Sequence, residues 1–284
     1  MSAQRLGQHF LEDTDVINTI IAAADLSSED TVVEVGPGRG ALTGHLVEQA
    51  GRVLLLEFDE DLANRLAQKY ETADNVRVLN VDARDFGSDV DPWTSEADYK
   101  VVANLPYYAA NPITRNFLES TRQPTSMVIM IQREVANDMA AKPDDMSLLS
   151  LAIQIYATAE HVVDAPPECF NPPPKVHSTV IKLTPTNETQ ITFESEDDFF
   201  RLARSGFKSP RKQLHNSLSD GLFIPLDDAR ELVEKTGFES SRRPSTLSLS
   251  DWQILYDVWV GAGRPLQVKG SVRRKRQNRQ NKTP

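Results

Sequence analysis

Glu34-Val35-Gly36-Pro37-Gly38-Arg39-Gly40-Ala41-Leu42-Thr43 follows directly on the apolar run Thr31-Val32-Val33. The run reads as a strand, the glycines as a tight turn, and residues from about 40 to 49 as a helix. Glycines in such a turn let the backbone approach a ligand closely, and the start of the following helix offers N–H groups without helical partners. Taken singly the turn is ambiguous, because Gly36, Gly38 and Ala41 also satisfy the dinucleotide-binding pattern G-x-G-x-x-G/A. The fold class is clearer. A strand, a glycine turn and a helix open a doubly wound α/β sheet with its ligand at the carboxyl ends of the strands.

Working outward, Arg52-Val53-Leu54-Leu55-Leu56-Glu57 is the next strand, with a helix near 60–70. Val76 to Val81, Tyr99 to Ala103 and Ser126 to Ile131 supply further strands. Their continuous apolar character suggests a parallel sheet covered on both faces. Asn171-Pro172-Pro173-Pro174 is a rigid connector that cannot be helical, and Val176 to Leu183 after it is strand-like. Beyond Pro185 the pattern becomes helical, with short amphipathic helices expected at 196–207, 210–219, 227–236 and 248–260. The expected organisation is one large domain over 1–185, a small helical domain over 186–263 and a basic, disordered tail over 264–284.

The net charge of −10 argues at first against a nucleic-acid partner, but its distribution matters more than its sum. From Arg264 to the end there are eight Lys and Arg and no acidic residue, leaving 23 basic against 41 acidic residues before it. Such a tail can contact phosphates through counterion release. No stretch approaches the roughly 18 apolar residues of a membrane span. The start lacks a basic segment followed by an apolar one, so no secretory signal is expected. Cys169 is the only cysteine, which excludes an intramolecular disulfide and suits a reducing, cytoplasmic setting.

Three strand ends carry the cofactor chemistry. Glu57, 21 residues after Gly36, suits the ribose hydroxyls of either a nicotinamide dinucleotide or S-adenosylmethionine. Asp82 ends the third strand, where its carboxylate can accept a hydrogen bond from an adenine amine. Gly36, Glu57 and Asp82, each at a successive strand end, resemble the arrangement of class I methyltransferases more than that of a dehydrogenase. The decisive element is Asn104-Leu105-Pro106-Tyr107, which resembles the [N/D]-x-P-Y signature of enzymes that methylate adenine N6 or cytosine N4. An exocyclic amine delocalises its lone pair into the ring and is a weak nucleophile. The Asn104 side-chain oxygen and the Leu105 carbonyl can accept its two hydrogens and aim the lone pair at a methyl group. Pro106 stiffens the loop and Tyr107 stacks on the extruded base. Phe170, beside the polyproline connector, reads as a second stacking surface or as ordinary core. Arg204, Lys208, Arg211, Lys212 and His215 form a basic cluster on helical surface.

Together, Gly7-Gln8-His9-Phe10-Leu11, Glu34 to Thr43, Asn104 to Tyr107, Phe170 to Ser178, Arg211 to Leu218 and Arg243 to Ser248 resemble the small-subunit ribosomal RNA adenine N6,N6-dimethyltransferase family. The resemblance runs from about Leu6 to about Tyr256. It implies a Rossmann-like, mostly parallel seven-stranded sheet with a small C-terminal helical domain that docks on RNA. It implies that His9, Leu11, Gly36, Gly38, Glu57, Asp82 and Asn104 surround S-adenosylmethionine, the methyl donor, with no metal. Asn104, Leu105, Pro106 and Tyr107 would handle the target amine, with Phe170 packing against the base; Arg211 and Lys212, from the basic cluster, either face RNA or form a solvated helix face. The implied product is N6,N6-dimethyladenosine at two adjacent adenosines. The implied partner is small-subunit ribosomal RNA, naked or in a pre-assembled subunit, bound by a monomer with no membrane involved.

The chain departs from the family in places. His177 stands where Asp is common, Pro210-Arg211 where two arginines are common, and Tyr108-Ala109-Ala110-Asn111-Pro112 replaces a segment rich in Ile and Ser. Other readings remain open: a large-subunit RNA adenine methyltransferase of the macrolide-resistance type, and a non-catalytic RNA- or DNA-binding assembly or transcription factor. An NAD-dependent oxidoreductase also fits the glycines, but no His or Tyr/Lys arrangement for hydride chemistry supports it.

Overall fold

In a computed structural model, described for residues 9–87, 91–186 and 189–266, the apolar runs become strands. In chain order they are β1 (Phe10–Leu11), α1 (Thr14–Ala24), β2 (Thr31–Val35), α2 (Thr43–Gln49), β3 (Arg52–Glu57), α3 (Glu60–Lys69), β4 (Val76–Asn80), α4 (Pro92–Ser95), β5 (Tyr99–Asn104) and α5 (Ala110–Leu118). There follow β6 (Ser126–Gln132), α6 (Arg133–Met139), α7 (Leu148–Gln154), β7 (Ala157–Ala165), β8 (Phe170–Asn171) and β9 (Ser178–Pro185). Four helices follow among the described residues: α8 (Glu196–Gly206), α9 (Leu214–Leu222), α10 (Leu226–Lys235) and α11 (Leu249–Gly261).

Seven strands form one sheet in the order β4-β3-β2-β5-β6-β9-β7. The five from β4 to β6 run parallel, and β9 is antiparallel to both β6 and β7. All five residues of β2 are buried, Thr31 and Glu34 included, as a strand covered on both faces requires. From β2 the chain builds outward through β3 and β4, then returns to its other side with β5 and β6. This reversal opens a crevice at the carboxyl ends of β2 and β5, where doubly wound sheets bind ligands. Helix α1 covers the sheet with Val16, Ile17, Ile20, Ile21 and Ala24, in one apolar cluster with Val102, Val128, Met130 and Val180. Asp13 starts that helix by accepting from the Val16 N–H at 2.9 Å.

Two expectations about the sheet need correction. Strand β4 is not covered on both faces: it lies at the edge, with Arg77 and Asn80 exposed. Strand β7 was not visible in the sequence, because the opposite edge allows polar residues such as Thr158, Glu160 and Asp164 to alternate outward.

The chain divides into two compact units. Residues up to Ala140 and from Ala152 to Glu188 form the sheet unit. Ala141–Leu151 joins the residues from Thr189 onward, so this segment leaves the 1–185 domain drawn from the sequence. The Asp144 and Met146 N–H groups both donate to the Ser245 carbonyl, at 2.9 and 3.1 Å, which ties the segment to the helical unit. In the helical unit, α9 begins at Leu214 rather than at 210, because Pro210 to Lys212 close a turn in which the Lys212 N–H donates to Ser209. Gly221 lets α8 and α9 approach closely: a Cβ there would lie 2.4 Å from the Ser205 Cα. A Ser248–Asp251 capping box starts α11, which buries Trp252 and Trp259. Arg264, expected to open a free basic tail, instead pairs with Glu194 at 2.5 Å and Asp198 at 2.9 Å. The tail from 267 to 284 lies outside the described residues.

Candidate active site

At the end of β2 the chain turns sharply. Gly36 and Gly38 hold φ of +66° and +58°, which side chains other than glycine rarely adopt. The Gly36 N–H donates to the Leu56 carbonyl at 2.9 Å, drawing the turn against β3. The Gly38 N–H donates to Glu57 Oε2 at 3.0 Å, and the Asp59 N–H to Glu57 Oε1 at 2.9 Å. Glu57 is thereby oriented at the end of β3. Burial pushes its carboxyl above the usual range, and the two N–H bonds oppose that shift. The expected helix start at 40 is wrong: α2 begins at Thr43, whose hydroxyl donates to Glu34 Oε2 at 2.7 Å. Burial raises the Glu34 carboxyl to about 8, and the nearby Glu57 charge adds to the shift.

A second wall is made at the end of β5. The Leu105 N–H donates to the Met130 carbonyl at 3.0 Å and the Ala109 N–H to the Pro106 carbonyl at 2.9 Å, folding Asn104 to Tyr107 into a turn. Asn104 lies beside the glycine turn, since a Cβ on Gly36 would sit 3.8 Å from its carbonyl oxygen. The half-buried Tyr107 ring stacks near that of His9, with centroids 6.2 Å apart, and its hydroxyl lies 2.7 Å from the Ser178 hydroxyl. His9 Nδ1 is 2.8 Å from the Pro172 carbonyl, and β1 pairs with β8, setting Leu11 opposite Phe170. Phe170 is 4% exposed and belongs both to the core cluster and to the cavity wall, so the two readings of it are compatible.

These walls enclose a cavity of about 500 Å³, within the range of nucleoside-sized ligands. His9, Leu11, Gly36, Gly38, Glu57, Asp82, Asn104, Leu105, Pro106, Tyr107 and Phe170 all line it. Arg211 and Lys212 do not: they lie in the helical unit, where the Lys212 ammonium is 3.1 Å from Asp220. Asp82 is engaged in a way the sequence did not foretell. The Arg84 Nε donates to both its oxygens at 3.0 Å, and this pairing holds the carboxyl below its usual range.

Sequence reasoning gave no site role to Glu34, Arg39, Phe58, Arg84 and Tyr108, which also line the cavity. Phe58 and Tyr108 are 58% and 65% exposed, unusual for aromatic rings. Their one signal is adjacency, each directly following a residue already singled out. The chain's own groups fit S-adenosylmethionine: a backbone cradle at Gly36 and Gly38, and a buried carboxylate at the end of β3. Among the described residues no group of three His, Cys, Asp or Glu is placed to hold a metal ion. None of the described helices is long and apolar enough to cross a membrane.

A mostly parallel seven-stranded sheet whose cavity spans its switch point defines a class I methyltransferase. The chain belongs to the ribosomal RNA adenine dimethylase family, whose model matches residues 2–252. A protein named ribosomal RNA small subunit methyltransferase A from Dehalococcoides mccartyi is 41% identical over 255 residues, covering 90% of this chain and 87% of its own. A protein of the same name from Alkaliphilus oremlandii is 37% identical, with 89% and 90% covered. Among solved structures, a dimethyladenosine transferase from Plasmodium falciparum superposes with a TM-score of 0.77 at 26% identity, over 90% of this chain and 98% of that one. The 23S rRNA methyltransferase ErmE shares the fold, with a TM-score of 0.68 at 23% identity over 88% and 98%.

Proposed function

We propose that this chain transfers methyl groups from S-adenosylmethionine to N6 of two adjacent adenosines in small-subunit (16S-type) ribosomal RNA, giving N6,N6-dimethyladenosine during ribosome assembly. Family membership and the names of its relatives support the reaction and its substrate class. The observation that carries the reading is that Asn104-Leu105-Pro106-Tyr107 opens into the same cavity as the glycine turn and Glu57. The enzyme acts as a monomer in the cytoplasm, a reading that the lone, buried Cys169 suits.

His9, Leu11, Gly36, Gly38, Glu57, Asp82 and Asn104 hold the methyl donor. The Glu57 carboxylate accepts from ribose hydroxyls. Asp82 accepts from the adenine amine with the lone pairs that Arg84 leaves over, since each carboxylate oxygen has two. S-adenosylmethionine supplies a methyl group already activated on a sulfonium. On the substrate side, the Asn104 side-chain oxygen and the Leu105 carbonyl accept the two N6 hydrogens and draw the nitrogen out of conjugation. Pro106 stiffens the turn, while Tyr107 and Phe170 stack on the extruded base. No strong general base is needed, because the proton leaves only after the nitrogen has become cationic. Positioning and local dipoles therefore supply most of the rate. Arg211, Lys212 and the basic residues after Arg264 contact RNA phosphates.

The test is to incubate the protein with labelled S-adenosylmethionine and small ribosomal subunits from cells lacking the modification, then identify methylated nucleosides by mass spectrometry. N6,N6-dimethyladenosine in the small-subunit RNA is the expected product. Product only in large-subunit RNA, or none despite measurable donor binding, would overturn the assignment.

A further inference from the structure

We infer that Ser178 is a positioning residue, holding the Tyr107 ring through its hydroxyl so that the ring presents a fixed plane to the target adenine. The inference rests on the proposed reaction and assigns a role to a side chain that lines no part of the cavity.

Tyr107 follows Pro106 on a turn, and a ring on a turn keeps rotamer freedom unless something outside the turn holds it. Two contacts do so here. The His9 ring flanks it at 6.2 Å with planes 29° apart, and His9 is itself tied to the Pro172 carbonyl at 2.8 Å. At the far end of the ring, the Tyr107 and Ser178 hydroxyls are 2.7 Å apart, and either can donate. Ser178 is a rigid anchor. It is fully buried, begins β9, and sits opposite Gln132 of β6 and Ala165 of β7. Just before it, the His177 carbonyl accepts from the Arg133 N–H at 3.0 Å. Ser178 also ends the segment that starts at Phe170, another aromatic of the cavity wall. One hydroxyl therefore ties the Asn104–Tyr107 turn to the strand that follows the Phe170 connector, 71 residues further on. A buried serine beside apolar strands needs a polar partner, and here that partner is Tyr107. The second methyl transfer makes the strictest demand on this geometry, because N6-methyladenosine must be held in the same plane with a bulkier amine.

Ser178→Ala, Tyr107→Phe and the double variant test the bond by single-turnover methylation of small subunits. The fraction of N6-methyladenosine remaining, the affinity for S-adenosylmethionine and the melting temperature are measured alongside. Each single variant should slow transfer about fivefold, the worth of one hydrogen bond, and leave donor affinity within about twofold. Both should let monomethylated adenosine accumulate, and the double variant should be no slower than either single one. Tyr107→Phe keeps the ring and breaks no buried strand, so it remains informative if Ser178→Ala folds poorly. Wild-type rates and product ratios in Tyr107→Phe, or rate losses that multiply in the double variant, would overturn the inference while leaving the proposed reaction standing. A wild-type protein that forms no methylated adenosine would overturn that reaction and this inference together.

Discussion

The two walls of the cavity are built in different ways. The glycine-turn wall is made of backbone and short-range bonds: Gly38 and Asp59 N–H groups fix Glu57, and Thr43 fixes Glu34 nine residues away. The wall around Asn104 to Tyr107 is made of side chains brought together from far apart, with His9 against Pro172 and Tyr107 against Ser178. The first can form from one βαβ stretch of chain. The second needs the sheet unit complete, since β9 must already lie beside β6. A wall of the first kind suits a donor bound alike in every turnover. A wall of the second kind suits placement of a base, where small shifts of a ring change the rate.

The largest effect expected to probe this contrast is that of Asn104→Ala. Transfer should fall about 10² to 10³-fold, as when one acceptor or donor of a reacting group is removed. Affinity for S-adenosylmethionine should stay within about tenfold if, as proposed, the residue mainly holds the amine. Single-turnover rates and calorimetry measure the two. A loss of donor affinity as large as the loss of rate would mean that the walls do not divide the work.

Next in size is Asp82→Ala. Losing one charge-assisted hydrogen bond to the adenine amine should weaken donor binding about tenfold or more. Arg84→Ala is the control, because Arg84 holds both Asp82 oxygens. It should cost no more than about threefold, an exposed ion pair being worth little. Equal losses in the two variants would show that the ion pair, and not a free acceptor, is what the donor needs. Gly38→Ala should fall between the Asp82→Ala and Arg84→Ala losses. With φ at +58° an alanine there is strained by about 1–2 kcal/mol, which predicts roughly tenfold weaker donor binding with kcat at saturating donor unchanged.

The same contrast explains what could be read in the sequence. The strand Thr31–Val35, the glycine turn and Glu57 were legible because local chemistry dictates them: a run rich in β-branched residues, a turn needing positive φ, a carboxylate at a strand end. Asn104 to Tyr107 was legible as residue types but not as a braced unit. Nothing near position 107 announces a partner at 178, and Ser178, although it ends the Phe170–Ser178 block, carries no residue-level sign of pairing with Tyr107. Arg84 escaped because its pairing with Asp82 consumes a charge that reads as solvated surface. The edge strand β7 escaped for a related reason: half of it faces water, so its residues alternate without the apolar run that marked the central strands. The shifted starts of α2 and α9 both follow from turns, at Gly38–Leu42 and Pro210–Lys212, which periodicity cannot separate from a first helical turn.

The smallest effect expected is one of pH, and it should belong to the glycine-turn wall alone. Glu34 is 2% exposed, and burial, with the Glu57 charge adding, raises its carboxyl to about 8 while Thr43 and Lys69 oppose the shift. In the unfolded chain the same group titrates near 4.5. Between these values the folded protein therefore holds one more proton than the unfolded one, so stability falls as pH rises through that window. Glu34→Gln has no such proton to lose. The melting temperature of the wild type relative to Glu34→Gln should thus drop between pH 5 and pH 8, by at least about 2 °C, what roughly 1 kcal/mol shifts in a chain of this length. Tyr107→Phe should show no drift over the same range, because burial holds the Tyr107 phenol above its usual value and it stays protonated throughout. A constant difference for Glu34→Gln would mean that water reaches its carboxylate from the cavity. A drift in Tyr107→Phe would mean that the side-chain wall, too, depends on a titrating neighbour.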